Sequence, residues 1–212
     1  EDTCLVNPVG VVVWNTAKTY LRDLEAVGAP LTPTRWLDQG TNVDIAKLMS
    51  ELGWDRGFLK PVVGATARET LPFDVTEQGL SEAQAHLDRL LPQESMMLQP
   101  FLESVLKEGE YSAIFFGGEF SHGVQKIPVP GDYRVQDDFG ATDKPHVFSE
   151  KDFETVKIIE GALLRLVQER FDGVALTYAR VDMIRDAEGQ LRLNELELVE
   201  PSLFFRHDAD SP

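Results

Sequence analysis

Residues Tyr178–Phe204 read Tyr-Ala-Arg-Val-Asp-Met-Ile-Arg-Asp-Ala-Glu-Gly-Gln-Leu-Arg-Leu-Asn-Glu-Leu-Glu-Leu-Val-Glu-Pro-Ser-Leu-Phe. Two alternating runs, Ala179–Ile184 and Gln190–Leu198, flank Asp186-Ala187-Glu188-Gly189, which is the pattern of a β-hairpin. Successive side chains on a strand point to opposite faces, so Glu195 and Glu197 share one face. Asp182 can join them from the partner strand. Three carboxylates on one face repel each other unless a cation lies between them. Oxygen-only donors suit a hard ion such as Mg²⁺, which keeps waters and recruits phosphate oxygens. Asp182, Glu195 and Glu197 are therefore candidate metal ligands, and Arg180, on the same face, is a candidate phosphate contact. The plain alternative is a solvent-facing acidic hairpin.

Working outward, 212 residues with 42% hydrophobic composition predict one large or two small domains with an ordinary buried core. No apolar run approaches the ~20 residues of a membrane span. The chain opens without a basic segment followed by an apolar one, so no secretory leader is expected. The lone cysteine, Cys4, reads as a small apolar residue and fits a reducing cytoplasm. A formal charge of −16 argues against nucleic acid and membrane surfaces as partners. An acidic protein that binds an anionic ligand must gather its few cations around it, and there are only 20 Lys plus Arg. The histidines (His86, His122, His146, His207) lack metal-ligand spacing, and Trp14, Trp36 and Trp54 read as core anchors.

Gly10–Trp14 reads as a strand or loop end. Asn15-Thr16 reads as the cap of a helix over Lys18–Val27 that Gly28 ends. Val43–Leu52 is helical and Gly57–Val63 a strand, and Gly64–Thr70 is a small-residue loop. A helix capped by Ser81 runs to Leu91, and a strand runs over Ser95–Leu102. Glu110–Gly117 and Glu119–Lys126 form a hairpin around Gly117-Gly118, and Pro128–Lys144 is a polar loop. Ser149 caps a long helix over Glu150–Glu169. This order predicts an α+β fold with mainly antiparallel sheets.

Three further stretches carry chemistry. Lys60, between apolar residues in Phe58–Gly64, must either snorkel or meet an anion. The small residues of Gly64-Ala65-Thr66-Ala67-Arg68 let backbone N–H groups approach phosphate oxygens. Glu110 follows Glu108-Gly109, and an acidic side chain accepts hydroxyl hydrogen bonds well.

The Arg180-x-Asp182 strand, the turn and the Glu195-x-Glu197 strand resemble the metal end of the ATP-grasp superfamily. The spacing from Asp182 to Glu195 is similar to that of the D-alanine–D-alanine ligase branch. One departure is that Glu197 stands where the family usually has Asn. The Val199-Glu200-Pro201-Ser202-Leu203-Phe204 ending resembles glutathione-synthase-like ligases, among which are ring-closing enzymes of the cycloserine type. The resemblance runs from about Asn15 to Phe205. It implies an ATP-grasp fold in which two α+β lobes sandwich the nucleotide, preceded by an N-terminal α/β domain of which this chain holds little. The implied division is 1–14 for that remnant, 15–98 for the small lobe and 99–212 for the lobe with the metal site.

The resemblance also implies roles. Lys18 and Lys60 bind ATP, and Gly64, Thr66 and Arg68 belong to the loop that closes on its phosphates. Gln99, Phe101 and Leu102 read the adenine edge, Glu110 the ribose, and Lys126 lies near phosphate. Arg134 stabilises the acyl phosphate and the oxyanion, and the catalytic Arg180 joins Lys18 and Lys60 in neutralising phosphate charge. Two Mg²⁺ ions, with Mn²⁺ as an alternative, sit on Asp182, Glu195 and Glu197. The implied activity is ATP-dependent carboxylate–amine ligation of small molecules, with homodimers common among similar enzymes. Two alternatives share the same nucleotide site: a small-molecule kinase and a non-catalytic regulatory module.

Overall fold

The structure, a computed structural model, describes residues 5–208, so Cys4 lies outside the described residues. In chain order the helices are α1 (Val9–Asn15), α2 (Tyr20–Ala26), α3 (Ile45–Leu52), α4 (Glu77–Leu90), α5 (Ser104–Lys107) and α6 (Glu150–Arg170). The strands are β1 (Arg35–Leu37), β2 (Arg56–Pro61), β3 (Leu71–Asp74), β4 (Met96–Pro100), β5 (Glu110–Phe116), β6 (Glu119–Ile127), β7 (Thr142–His146), β8 (Tyr178–Arg185) and β9 (Leu191–Glu197). The expected α+β class with antiparallel sheets is what the chain adopts. It divides into two compact units, Thr32–Phe101, and Glu1–Leu31 with Leu102–Pro212. Residues 15–31 thus group with the C-terminal unit, where the sequence reading had put them in the smaller lobe.

In Thr32–Phe101, an antiparallel sheet of order β1-β4-β2-β3 shares one core with α3 and α4, built from Leu37, Ile45, Met49, Leu59, Phe73, Leu87 and Leu98. Asp44 caps α3 by accepting from the Lys47 N–H at 3.0 Å. Helix α4 begins earlier than expected, and its cap is Thr76 rather than Ser81, with Thr76 Oγ1 accepting from Gly79 N–H at 3.1 Å. Gly79 hid that start because glycine disfavours helix. It is needed there, since a Cβ would stand 2.3 Å from the Asp74 carbonyl oxygen. Strands β1 and β3 were missed because runs of 3 and 4 residues are too short to show a period.

In the other unit the sheet order is β7-β6-β5-β8-β9, again antiparallel. Helix α6 presents Val156, Ile159, Leu163 and Val167 as buried residues. Ser149 caps it as expected, accepting from Asp152 N–H at 3.2 Å. Gly10–Trp14 is helical, not a strand or loop end. There Trp14 packs edge-on against Tyr20 and Phe171, each at 5.8 Å between ring centroids, and tertiary packing overrides the β preference of the valines. Strand β7 lies in what read as pure loop. It is an edge strand containing Pro145, where a missing N–H costs nothing in the ladder.

Strand β9 is the other edge of this sheet, and the N-terminal segment covers it. Asn15 does not cap α2; its Nδ2 donates to Leu196 O at 2.9 Å and its Oδ1 accepts from Leu198 N–H at 2.9 Å. Asn7 donates to Leu198 O at 2.8 Å, Tyr20 Oη accepts from Leu196 N–H at 3.1 Å, and Pro30 O accepts from Leu193 N–H at 2.8 Å. These contacts satisfy backbone groups that an edge strand otherwise leaves to solvent.

Candidate active site

The β8–β9 hairpin forms as predicted, with Arg180 opposite Glu197 and Asp182 opposite Glu195. The register shifts after Asp182, so that Met183 pairs with Leu193 and Asn194 is skipped. This bulge solves a problem visible in the sequence. Strict alternation would place Leu191, Leu193, Glu195 and Glu197 on one face. A one-residue slip at Asn194 changes the phase, so Leu191, Leu193, Leu196 and Leu198 are all buried and the two glutamates face away from them.

Asp182 is the hub, at 2% exposure. It accepts from Arg180 Nε at 3.0 Å and Nη2 at 2.9 Å, and from Ser112 Oγ at 2.6 Å. Lys126 Nζ stands 3.1 Å away. The sheet dictates this convergence, since Ser112 faces Asp182 across β5–β8 and Glu110 faces Lys126 across β5–β6. Lys126 also pairs with Glu110, whose other oxygen accepts from Asn194 Nδ2 at 2.9 Å. Arg180 Nη2 reaches Glu197 at 2.6 Å, and Lys18 Nζ reaches Glu195 at 2.6 Å.

Burial opposes the charge on Asp182, but Arg180 and Lys126 outweigh it and hold its carboxyl well below the usual range. Burial raises Glu110, with Lys126 pulling the other way. Glu197 is pushed up to about 7, by burial first and then by Asp182. Arg180 and Lys126 keep their protons more firmly than usual, because the carboxylates overcome their own burial. The carboxylates are thus matched by the chain's own cations. Among the described residues no group of three or more His, Cys, Asp or Glu side chains is assembled to hold a metal ion. The donor chemistry nonetheless fits a hard cation. Glu195 and Glu197 have 29% and 34% exposed side chains and are oxygen donors.

The structure therefore brings Lys18, Glu110, Lys126, Arg180, Asp182, Glu195 and Glu197 into one network. Arg180 is more engaged than a free phosphate contact would be, with Nη1 donating to Ser202 O at 3.1 Å. Glu110 is buried at 6% exposure and bonded to Lys126 and Asn194. Arg134 lies in the loop between β6 and β7, paired to Asp132. Lys60, Gly64, Thr66, Arg68, Gln99 and Phe101 belong to the other unit. There Lys60 is buried in β2, and Thr66 has a positive φ of 52°. Arg68 Nη2 donates to Glu94 at 2.5 Å and to Val63 O at 2.9 Å. Gln99 Nε2 donates to Thr34 at 2.9 Å, and Phe101 N–H donates to Arg56 O at 3.1 Å. Leu102 opens the resumed part of the first unit. Ser112 and Asn194 were missed; for Asn194 the phase slip between Leu193 and Leu196 was the available signal. No helix among the described residues is long and apolar enough to cross a membrane.

Comparison with known proteins adds to this geometry. The chain is 31% identical over 223 residues to the cycloserine biosynthesis protein DcsG of Streptomyces lavendulae, covering 98% of this chain and 70% of that protein. The crystal structure of D-cycloserine synthetase DcsG superposes with a TM-score of 0.80 at 28% identity, covering 96% of this chain and 69% of that one. Two more distant structures share the fold. The D-alanine–D-alanine ligase from Coxiella burnetii has a TM-score of 0.64 at 17% identity, over 93% of this chain and 51% of that one. The ATP-grasp ligase PsnB has a TM-score of 0.64 at 17% identity, over 99% and 60%. No protein-family model matches the chain.

Proposed function

The chain belongs to the ATP-grasp ligases, and on that premise we propose that it joins a small-molecule carboxylate to an amine through an acyl phosphate. A carboxylate oxygen attacks the γ-phosphorus of ATP, the bond to the bridging oxygen breaks, and ADP leaves. The amine then attacks the acyl carbon, loses a proton and displaces inorganic phosphate. The observation that carries this reading is the in-register set Arg180–Glu197 and Asp182–Glu195 with Lys18 and Lys126 set against it.

Glu195 and Glu197, with Asp182 behind them, would hold Mg²⁺, in two ions or with Mn²⁺ in its place. Bound there, the metal would screen phosphate charge. The chain's own residues do the remaining work. Lys18 and Lys60 neutralise phosphate oxygens, and the Gly64–Arg68 loop, with Thr66, offers backbone and side-chain donors. Gln99, Phe101 and Leu102 take the adenine, and Glu110 anchors Lys126 beside Asp182. Arg180 fixes the carboxylates, and Arg134 meets the acyl phosphate and the oxyanion. Positioning and electrostatics suffice for such chemistry, so no side-chain nucleophile is required. The likeness to a cycloserine biosynthesis protein supports a ring-closing version, in which carboxylate and nucleophile sit on one molecule. A cytoplasmic homodimer is part of the same reading.

The test is to incubate the protein with ATP, Mg²⁺ and paired acids and amines while following ADP, phosphate and coupled product separately. ADP should form with an acid present, and product only with the nucleophile. A stable phosphorylated product that ignores amines would replace ligation with kinase chemistry.

A further inference from the structure

Arg134 is held more rigidly than an arginine on a loop needs to be. Asp132 accepts from its Nε at 3.0 Å to each oxygen and from its Nη2 at 2.6 Å. Asp132 is itself fixed, because its Oδ1 also accepts the backbone N–H of Tyr133 at 2.7 Å and of Arg134 at 3.0 Å. The Phe139 ring covers one face of the guanidinium, with Cζ 3.8 Å from the ring centroid. One edge and one face are thus taken. Nη1 has no partner among the described residues, and the side chain is 37% exposed. All these contacts lie within eight residues of loop, so the arrangement is set locally by the sequence Asp132–Phe139.

We propose that Asp132 and Phe139 are positioning residues that clamp Arg134 and leave its Nη1 edge as a preformed seat for a phosphate or carboxylate group. This rests on the ligase reading above and deepens it. A planar guanidinium has two edges suited to bidentate anions. Asp132 occupies the Nε–Nη2 edge, so the substrate anion takes the other. The competing idea is that Asp132 merely occupies Arg134 until substrate displaces it. Its two backbone hydrogen bonds argue against that, because a displaced Asp132 would also have to give up the turn it shapes. Freezing the arginine before the anion arrives removes an ordering cost from binding.

The two ideas predict opposite signs. Asp132→Asn keeps an oxygen for both backbone N–H groups but turns an amide donor toward Nη2, so the turn survives and the clamp does not. Asp132→Ser serves as a second variant that also caps the turn. In ¹⁵N-labelled full chain, the Arg134 Nε–Hε resonance should exchange slowly in the wild type and faster in Asp132→Asn, Asp132→Ser and Phe139→Leu. Titration with inorganic phosphate should shift that resonance, with binding weakened about tenfold in each variant. Combining Asp132→Asn with Arg134→Lys should cost no more than Arg134→Lys alone. Phosphate binding that is unchanged or tighter in Asp132→Asn overturns the clamp. So does an Arg134 resonance as mobile in the wild type as in the variants, or one that never responds to phosphate. If Arg134→Lys leaves wild-type phosphate affinity intact, the failure lies in the role given to Arg134 in the ligase reading, a result distinct from loss of the clamp.

Discussion

Lys126 on β6 reaches past β5 to stand 3.1 Å from Asp182 on β8, while also pairing with Glu110 on β5. One ammonium therefore serves two buried carboxylates. Lys126→Met should destabilise the protein by about 3 kcal/mol or more at pH 7, because it leaves buried Glu110 without its cation and takes one of two cations from Asp182. Adding Glu110→Gln should recover part of that loss, which urea denaturation of the single and double variants would show.

Arg185 donates to both oxygens of Asp152 at 2.9 Å, and Ser149 donates to one of them at 2.8 Å. The Arg185 bonds come first in holding the Asp152 carboxyl below its usual value. A depressed folded pKa stabilises above the unfolded value, about 3.9, and the stabilisation fades as pH falls through the folded one. Asp152→Asn should therefore be less stable than wild type at pH 7, and the gap should close as pH falls below about 4. A pH series of thermal melts decides it, and a gap that persists unchanged at low pH would refute the assignment.

Asn15→Ala removes one donor to Leu196 and one acceptor for Leu198, both buried. Leaving backbone groups unsatisfied costs about 1–3 kcal/mol each. Asn15→Asp should fare nearly as badly, since it keeps the acceptor but loses the donor. Hydrogen exchange at Leu198 should accelerate in Asn15→Ala and much less in Asn15→Asp.

Lys60→Met should weaken Mg²⁺·ADP binding by about 10-fold or more, the scale of a lost charge-assisted hydrogen bond. Isothermal calorimetry measures this directly, and unchanged affinity would remove Lys60 from the nucleotide site. Omitting Mg²⁺ should weaken nucleotide binding in the wild type, and less so in Glu195→Gln.

The sequence disclosed the β8–β9 hairpin, the β5–β6 hairpin and α6, because the glycine-containing turns and the serine cap bound them, even though a bulge interrupts each hairpin. It disclosed the carboxylates of the site for the same reason. It did not disclose that Asp182 faces Ser112, or that Lys126 spans two strands, because pairing partners are fixed by sheet order rather than by local pattern. Helix α1 was misread since a run of valines carries no helical signal until Trp14 finds its aromatic neighbours. Asn15 looked like a cap because capping and edge-covering use the same short amide, and only tertiary contact distinguishes them.

The seal that the N-terminal segment places over β9 reaches beyond stability. A variant beginning after Tyr20 would keep Asp182, Glu195 and Glu197, though not Lys18, yet bare the rim of the strand that carries the two glutamates. A bare rim templates strand addition from neighbouring copies. Such truncations should polymerise, visible as rising light scattering, even where Lys18 is left in place and only the residues up to Thr16 are removed.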